Sequence, residues 1–208
     1  MSERQRHFSM FRDFSLADVL TLGNAASGTG SIFLCLQFLA EGQRGWLWLA
    51  FALLPLAFVL DALDGWVARK LRRGSPYGAD LDSLADIVSF GVAPAVLAYT
   101  VGARGAWDVA ILITFVCCGI SRLARFNVTA DALTDEATGK VKYFEGTPIP
   151  TSLVLVAVLA AAFHQDAVHA ELWGGRILIG PGHWHPITGL YLLSGMAMVS
   201  STLRIPKP

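Results

Sequence analysis

Apolar runs long enough to cross a hydrocarbon core recur along this sequence, and they leave little choice of fold. A spanning helix needs about 17–25 mostly apolar residues. Such runs fall near 17–40, 46–69, 82–102, 106–126, 150–166 and 186–203. The expected fold is therefore all-α, a polytopic membrane helix bundle of about six transmembrane helices. The fifth and sixth runs are the shortest, and Ala-rich 153–163 and 188–202 need interfacial flanks to span. Composition agrees, since 54% hydrophobic and 15% charged residues exclude an ordinary soluble domain. No repeat, low-complexity segment or long linker divides the chain, so 1–208 reads as a single membrane domain.

The ends and loops supply topology. Arg4, Arg6 and Arg12 alternate with Phe8, Met10, Phe11 and Phe14, without an early apolar core or a small-residue cleavage site. That pattern fits a short N-terminal interfacial helix, with a solvated tail as the alternative. If the N-terminus is cytoplasmic, that face receives 13 of the 16 Lys+Arg, and only Arg44, Arg104 and Arg176 lie outside. The bias obeys the positive-inside rule and favours an even number of spans. Cys35, Cys117 and Cys118 all fall in apolar runs, which argues for buried thiols rather than disulfides or a zinc site. His183 and His185 sit in the outer loop 164–185, where the expectation is a pair of polar interface residues rather than a metal pair.

The chemistry concentrates between 61 and 86. Residues three and four apart share a helix face, so Asp61, Asp64, Gly65 and Ala68 form one stripe at the end of the second run. Asp82 and Asp86 form another at the start of the third. The short basic connection Lys70–Tyr77 makes these helices antiparallel neighbours and brings four carboxylates together. Ionisable groups at a membrane are expensive and usually functional. Hard divalent cations neutralise such a group through oxygen ligands, and Mg²⁺ often combines carboxylates with substrate phosphates. Gly65, Ala68 and Gly78 leave room for a ligand to approach the backbone.

This stretch fits, at every fixed position, D-x2-D-G-x2-A-R-x8-G-x3-D-x3-D, and so resembles the signature of the CDP-alcohol phosphotransferase family. The resemblance implies two Mg²⁺ or Mn²⁺ ions held by Asp61, Asp64, Asp82 and Asp86, with Asp61 and Asp82 bridging. It makes Asp86 the general base on an acceptor hydroxyl. It assigns nucleotide contacts to Gly65, Arg69 and Ser75, with Ala68 and Gly78 shaping the cytidine pocket. A looser Asn-x-x-Ser element, Asn24-Ala-Ala-Ser27, adds Asn24 and Ser27; helix–helix hydrogen bonds are the alternative for both.

Further segments resemble one subgroup, the membrane-integral phosphatidylserine synthases. They are Asp82–Pro94, Ser121-Arg-Leu-Ala-Arg125-Phe-Asn127, Phe144-Glu-Gly-Thr-Pro148-Ile-Pro150 and Met198-Val-Ser-Ser. One departure is Thr147, where leucine is usual. The subgroup implies transfer of the phosphatidyl group from CDP-diacylglycerol to L-serine, releasing CMP. Glycerol 3-phosphate, inositol phosphate or choline is the alternative acceptor. Serine carries a carboxylate, and Arg122 and Arg125 are the candidates to bind it bidentately, unless they anchor headgroups instead.

The family implies a homodimer among membrane lipids, and nucleic acid is not an expected partner. The expected location is the inner or plasma membrane of a prokaryote, with the active site and both termini cytoplasmic. A diphosphate-binding prenyltransferase would lack Gly65-x-x-Ala68-Arg69. A cation transporter would carry its carboxylates near the bilayer midplane rather than at one edge.

Overall fold

The computed structural model describes residues 15–71, 77–133, 143–180, 182–200, 202 and 204–206. The expected N-terminal interfacial helix and Ser75 lie outside these residues.

Six helical rods make up most of the described residues. They are α1 (Leu16–Glu41), α2 (Arg44–Leu71), a third rod, α5 (Ala106–Leu133), α6 (Leu153–His164) and α7 (Thr188–Val199). The third rod begins as α3 (Gly78–Asp86), passes through a π-helical stretch (Ile87–Val92) and continues as α4 (Ala93–Val101). The described residues also form two short antiparallel strand pairs. Strand β1 (Tyr143–Glu145) pairs with β4 (Arg204–Pro206), and β2 (Ile177–Ile179) pairs with β3 (Gly182–Trp184).

Among the described residues four helices are long and apolar enough to cross a membrane: Leu16–Glu41, Arg44–Lys70, Gly78–Val101 and Ala106–Thr129. The shorter apolar helices are Ile149–His164, which rises about 24 Å, and Thr188–Val199, which rises about 18 Å, against a core of about 30 Å. The protein is a helical membrane bundle. Its helices turn large apolar side chains outward, among them Phe33, Leu36, Ile113, Ile120, Val154 and Leu193. Soluble proteins seldom leave so continuous an apolar surface uncovered, whereas lipid tails cover it at no cost.

The interior is built from Leu47, Leu54, Phe90, Leu97, Phe115, Leu159 and Tyr191, all essentially inaccessible. Of the three thiols only Cys35 is buried. Cys117 lies on an exposed helix face, contrary to the expectation, because an apolar run in a bilayer has a lipid-facing side as well as a protein-facing one.

The packing order also differs from the hairpin expected for the second and third runs. Helix α1 packs along α2 and also against α3, the π stretch and α4, so it is the common partner of both aspartate-bearing helices. Its buried face is small and polar, comprising Thr21, Asn24, Ser27, Gly28 and Ser31. Such residues let backbones approach and form interhelical hydrogen bonds. Ser31 Oγ donates to the Ala50 carbonyl of α2 at 3.0 Å, and Ser89 Oγ donates to the Asn24 carbonyl at 2.9 Å.

The π stretch has a local cause in Pro94, which offers no N–H to an upstream carbonyl and crowds the turn before it. The ladder widens there, and Ala93 N bonds to the Val88 carbonyl five residues back. The Tyr191 hydroxyl of α7 donates to the Pro94 carbonyl at 3.0 Å, tying the widened rod to the last helix.

Gly28 marks the closest approach. A Cβ there would lie 2.4 Å from Ser89 Oγ and 2.7 Å from Ser89 Cα, so backbone would have to move. Gly28→Val is expected to cost about 1–3 kcal/mol through overpacking, seen as a lower melting temperature in detergent. Gly45→Ala, where a Cβ meets nothing within 4 Å, should melt close to the parent.

Candidate metal and nucleotide site

The aspartates meet where α2 ends and α3 begins. Asp61 and Asp64 share a face of α2, and Asp82 and Asp86 share a face of α3, as their i, i+3 and i, i+4 spacings require. One carboxylate oxygen from each of Asp61, Asp64 and Asp82 lies within 4.8 Å of the others, a set able to hold a metal ion. Asp86, 8% exposed, stands behind this trio, and Asp61 lies beside both Asp82 and Asp86. Among the described residues no ion pair joins any of the four to a cation. Asp82 Oδ1 is buried without a hydrogen-bond partner. All the ligand atoms are hard oxygens, so the donor set and the orphaned oxygen both fit Mg²⁺ or Mn²⁺.

Helix α1 positions two of the carboxylates. Thr21 Oγ1 donates to Asp64 Oδ2 at 2.6 Å, and Asn24 Nδ2 donates to Asp86 Oδ1 at 3.2 Å. These bonds cross from one helix to another, so each fixes a carboxylate rotamer that its own helix leaves free.

A cavity of about 200 Å³ opens beside the trio. Gly65, Ala68 and Gly78 line it, together with Asp64, Asp82 and the α1 residues Asp18 and Thr21. Arg69, exposed one turn beyond Gly65, reaches back over it, its guanidinium nitrogen 3.4 Å from where a Gly65 Cβ would stand. Asn24 and Ser27 lie deeper along α1, outside this lining; Asn24 holds Asp86, and Ser27 Oγ donates to the Gly23 carbonyl at 2.9 Å.

Asp18 and Thr21 were not among the sequence candidates. Asp18 belongs to a capping box at the start of α1: its Oδ2 accepts from Ser15 N at 2.6 Å, while Ser15 Oγ accepts from Asp18 N at 3.3 Å. The available signal was the polar stripe 18, 21, 24, 27 and 31 on an otherwise apolar helix.

The two arginines diverge. Arg122 is 8% exposed, within electrostatic reach of Asp86, and its Nε is buried without a hydrogen-bond partner. Arg125 turns toward the end of α7, where Nη1 donates to the Val199 carbonyl at 3.4 Å, and its Nη2 is buried without a partner. Close by, the segment after β1 packs on α7. Thr147 N donates to the Ala197 carbonyl, and Gly146 takes φ 73° where a Cβ would lie 2.2 Å from the Met198 carbonyl oxygen. Glycine is needed there on both counts. Thr147 Oγ1 and Ser152 Oγ are buried without hydrogen-bond partners.

A polar cluster of this kind, at one end of a helical membrane bundle, is able to hold a divalent metal ion. The description CDP-alcohol phosphatidyltransferase matches residues 14–193, and the chain belongs to that family. It is similar to a CDP-diacylglycerol–serine O-phosphatidyltransferase of Saccharomyces cerevisiae, 44% identical over 98% of this chain and 75% of that protein. It is also similar to an archaetidylserine synthase of Methanothermobacter thermautotrophicus, at 40% identity over 79% of this chain and 64% of that protein. A CDP-diacylglycerol–serine O-phosphatidyltransferase of Methanocaldococcus jannaschii is 34% identical over 83% of this chain and 72% of its own length.

If Thr21 sets the metal-binding rotamer of Asp64, Thr21→Val should weaken Mn²⁺ binding about tenfold, the usual scale for losing a bond to a ligand. Titration followed by electron paramagnetic resonance measures this directly. Unchanged affinity would remove Thr21 from that role.

Proposed function

We propose that this chain is a CDP-diacylglycerol–serine O-phosphatidyltransferase, transferring the phosphatidyl group from CDP-diacylglycerol to L-serine and releasing CMP. The observation that carries the reading is the 44% identity to an enzyme of that name along 98% of the chain, joined to the Asp61, Asp64 and Asp82 cluster.

In this reading Asp61, Asp64, Asp82 and Asp86 hold two Mg²⁺ or Mn²⁺ ions. When bound, such a pair clamps the pyrophosphate and offsets charge on the attacking and leaving oxygens. Gly65, Ala68 and Gly78 admit the cytidine end, Arg69 and Ser75 contact the nucleotide, and Asn24 and Ser27 support it from α1. Asp86 takes the proton of the serine hydroxyl. The hydroxyl oxygen forms the new bond to the lipid-bearing phosphorus while the pyrophosphate P–O bond breaks, its electron pair leaving with CMP. Asn24 occupies Asp86 Oδ1, which leaves the second oxygen for that proton. Arg122, buried near Asp86, receives the serine carboxylate, with Arg125 alongside.

The short helices α6 and α7 complete six spans with interfacial flanks, the aspartate end faces the cytoplasm, and two copies form a homodimer. A prokaryotic inner or plasma membrane remains the proposed location.

The similarity to an archaetidylserine synthase favours a second reading of the lipid half only, an ether-linked CDP-lipid with the same acceptor. Membranes supplied with Mn²⁺, serine and either CDP-lipid are expected to release CMP only when serine is present, and the phosphatidyl or archaetidyl product identifies the lipid. CMP release dependent on glycerol 3-phosphate instead would replace serine as acceptor. In the same assay Asp86→Asn should lower turnover by about 10²-fold or more, the scale of a lost general base. Full activity in that variant would take the role from Asp86.

A further inference from the structure

A second cavity, about 220 Å³, opens at the other end of the bundle. From Asp86 to Gly102 the third rod rises about 24 Å, which sets the two cavities most of a hydrocarbon thickness apart. Arg104 from the α4–α5 turn, His169 and Arg176 from the segment after α6, and His183 and His185 from the β3 segment all line it.

The basic residues at this end are unequally committed. Arg44 pairs with Asp166, donates to the Phe163 carbonyl at 2.8 Å and lies over the Phe163 ring. Arg104 and Arg176 both face the second cavity, and among the described residues no acidic side chain lines it. Arg104 is steadied by bonds to the Tyr99 and Thr100 carbonyls at 3.0 and 3.2 Å, so its planar fork has a fixed place. Arg176 is exposed.

His185 is built in more deeply than a loop histidine needs to be. It is 3% exposed, and the fully buried Asp108 accepts from its Nδ1 at 2.6 Å and from its backbone N at 2.8 Å. Asp108 also accepts from Gly105 N at 2.9 Å. The ring is thus oriented by one nitrogen, and Nε2 is buried without a hydrogen-bond partner, as is His183 Nδ1. Buried polar atoms are normally satisfied. Two guanidinium groups suit an anion with several oxygens around one centre, and an imidazole held by the Asp108 carboxylate donates to it through Nε2 in the form that carries both ring protons. A carboxylate-held imidazole also orients metal ligands. Two guanidinium groups oppose a cation, however, and among the described residues the one converging set of possible metal ligands is the aspartate trio.

The cavity adjoins a lipid-seeking surface. Immediately after Arg176, strand β2 exposes Ile177, Leu178 and Ile179, and Trp107 Nε1 donates to the Ile179 carbonyl at 2.9 Å. Trp107 and Trp173 are themselves partly exposed, as aromatic residues at a membrane–water boundary are. We infer that this second cavity binds a phosphate group, presented by a phospholipid headgroup at the membrane face opposite the aspartates.

The test uses delipidated full-length protein in detergent, with phosphatidylglycerol, phosphate-free diacylglycerol or inorganic phosphate added, and native mass spectrometry to count retained molecules. Wild-type protein should hold one more phosphatidylglycerol than Arg104→Gln/Arg176→Gln, with affinity at that position falling about tenfold or more on loss of the charge-assisted bonds. Arg176→Gln alone, at an exposed position, should show part of the loss without disturbing the fold. Diacylglycerol should not be retained there. Displacement of the extra lipid by millimolar inorganic phosphate would trace recognition to the phosphate, and resistance to it would trace recognition to phosphate held jointly with the lipid body. Equal retention by both arginine variants and wild type would overturn the inference. So would retention of diacylglycerol as tightly as of phosphatidylglycerol, or stoichiometric Zn²⁺ lost in His185→Ala.

Discussion

Four carboxylates drawn together at one end of an apolar bundle repel each other, and much of the structure can be understood as what makes that arrangement tolerable. Like charges a few ångströms apart, partly removed from water, are stable only with hydrogen-bond donors and a cation to share. The protein supplies the donors from a single helix, Thr21 to Asp64 and Asn24 to Asp86. Among the described residues it supplies no ion pair to any of these four carboxylates. That division of labour leaves a site whose compensating charge a divalent metal ion is able to supply.

The small polar face of α1 follows from the same constraint. A helix carrying donors to carboxylates on both α2 and α3 must lie close to both, and Leu or Phe along that face would hold the backbones apart. Gly28 against Ser89 and Ser31 against Ala50 show how close the approach is. The π stretch adds a further adjustment, since the widened turn begins directly after Asp86 and presents Ser89 to the Asn24 carbonyl. Pro94 is then more than an interruption. By forcing the ladder to widen there, it sets the rotation between the half of the rod that bears carboxylates and the half that packs on α7.

The sequence made the membrane character and the aspartate cluster legible because both are local. An apolar run announces itself over about 20 residues, and the aspartates fall on shared faces by helical spacing alone. What it concealed depends on distant partners. The use of Asp18 and Thr21 required knowing that α1 lies against the end of α2, which no periodicity within either helix reveals. Asn24 was visible as a polar residue in an apolar run, but its partner Asp86 lies 62 residues away. His185 looked like a loop residue until Asp108, 77 residues earlier, proved to be buried against it. The number of spans was harder for a different reason, since the apolar runs of α6 and α7 include flanks that lie outside the α-helices, such as the 3-10 turn Ile149–Ser152 before α6.

The two arginines on α5 illustrate how position refines chemistry. Arg122 and Arg125 are three residues apart and were equivalent candidates for an acceptor carboxylate, yet they meet different surroundings. Arg125 reaches the C-terminal carbonyl of α7, a place where a cation is favoured by exposed carbonyl dipoles whatever else is bound. Arg122 is almost entirely buried, close to Asp86, with Nε unmatched. A guanidinium withdrawn from water needs anionic partners to remain there. Asp86 is the nearby anion, but in the proposed reaction it holds metal and takes a proton, so its charge is shared. An acceptor that brings its own carboxylate restores the balance at Arg122 at the moment its hydroxyl comes to Asp86. Amino-acid recognition and base catalysis would then be linked through one buried cation, which favours serine over an acceptor that carries only hydroxyl groups.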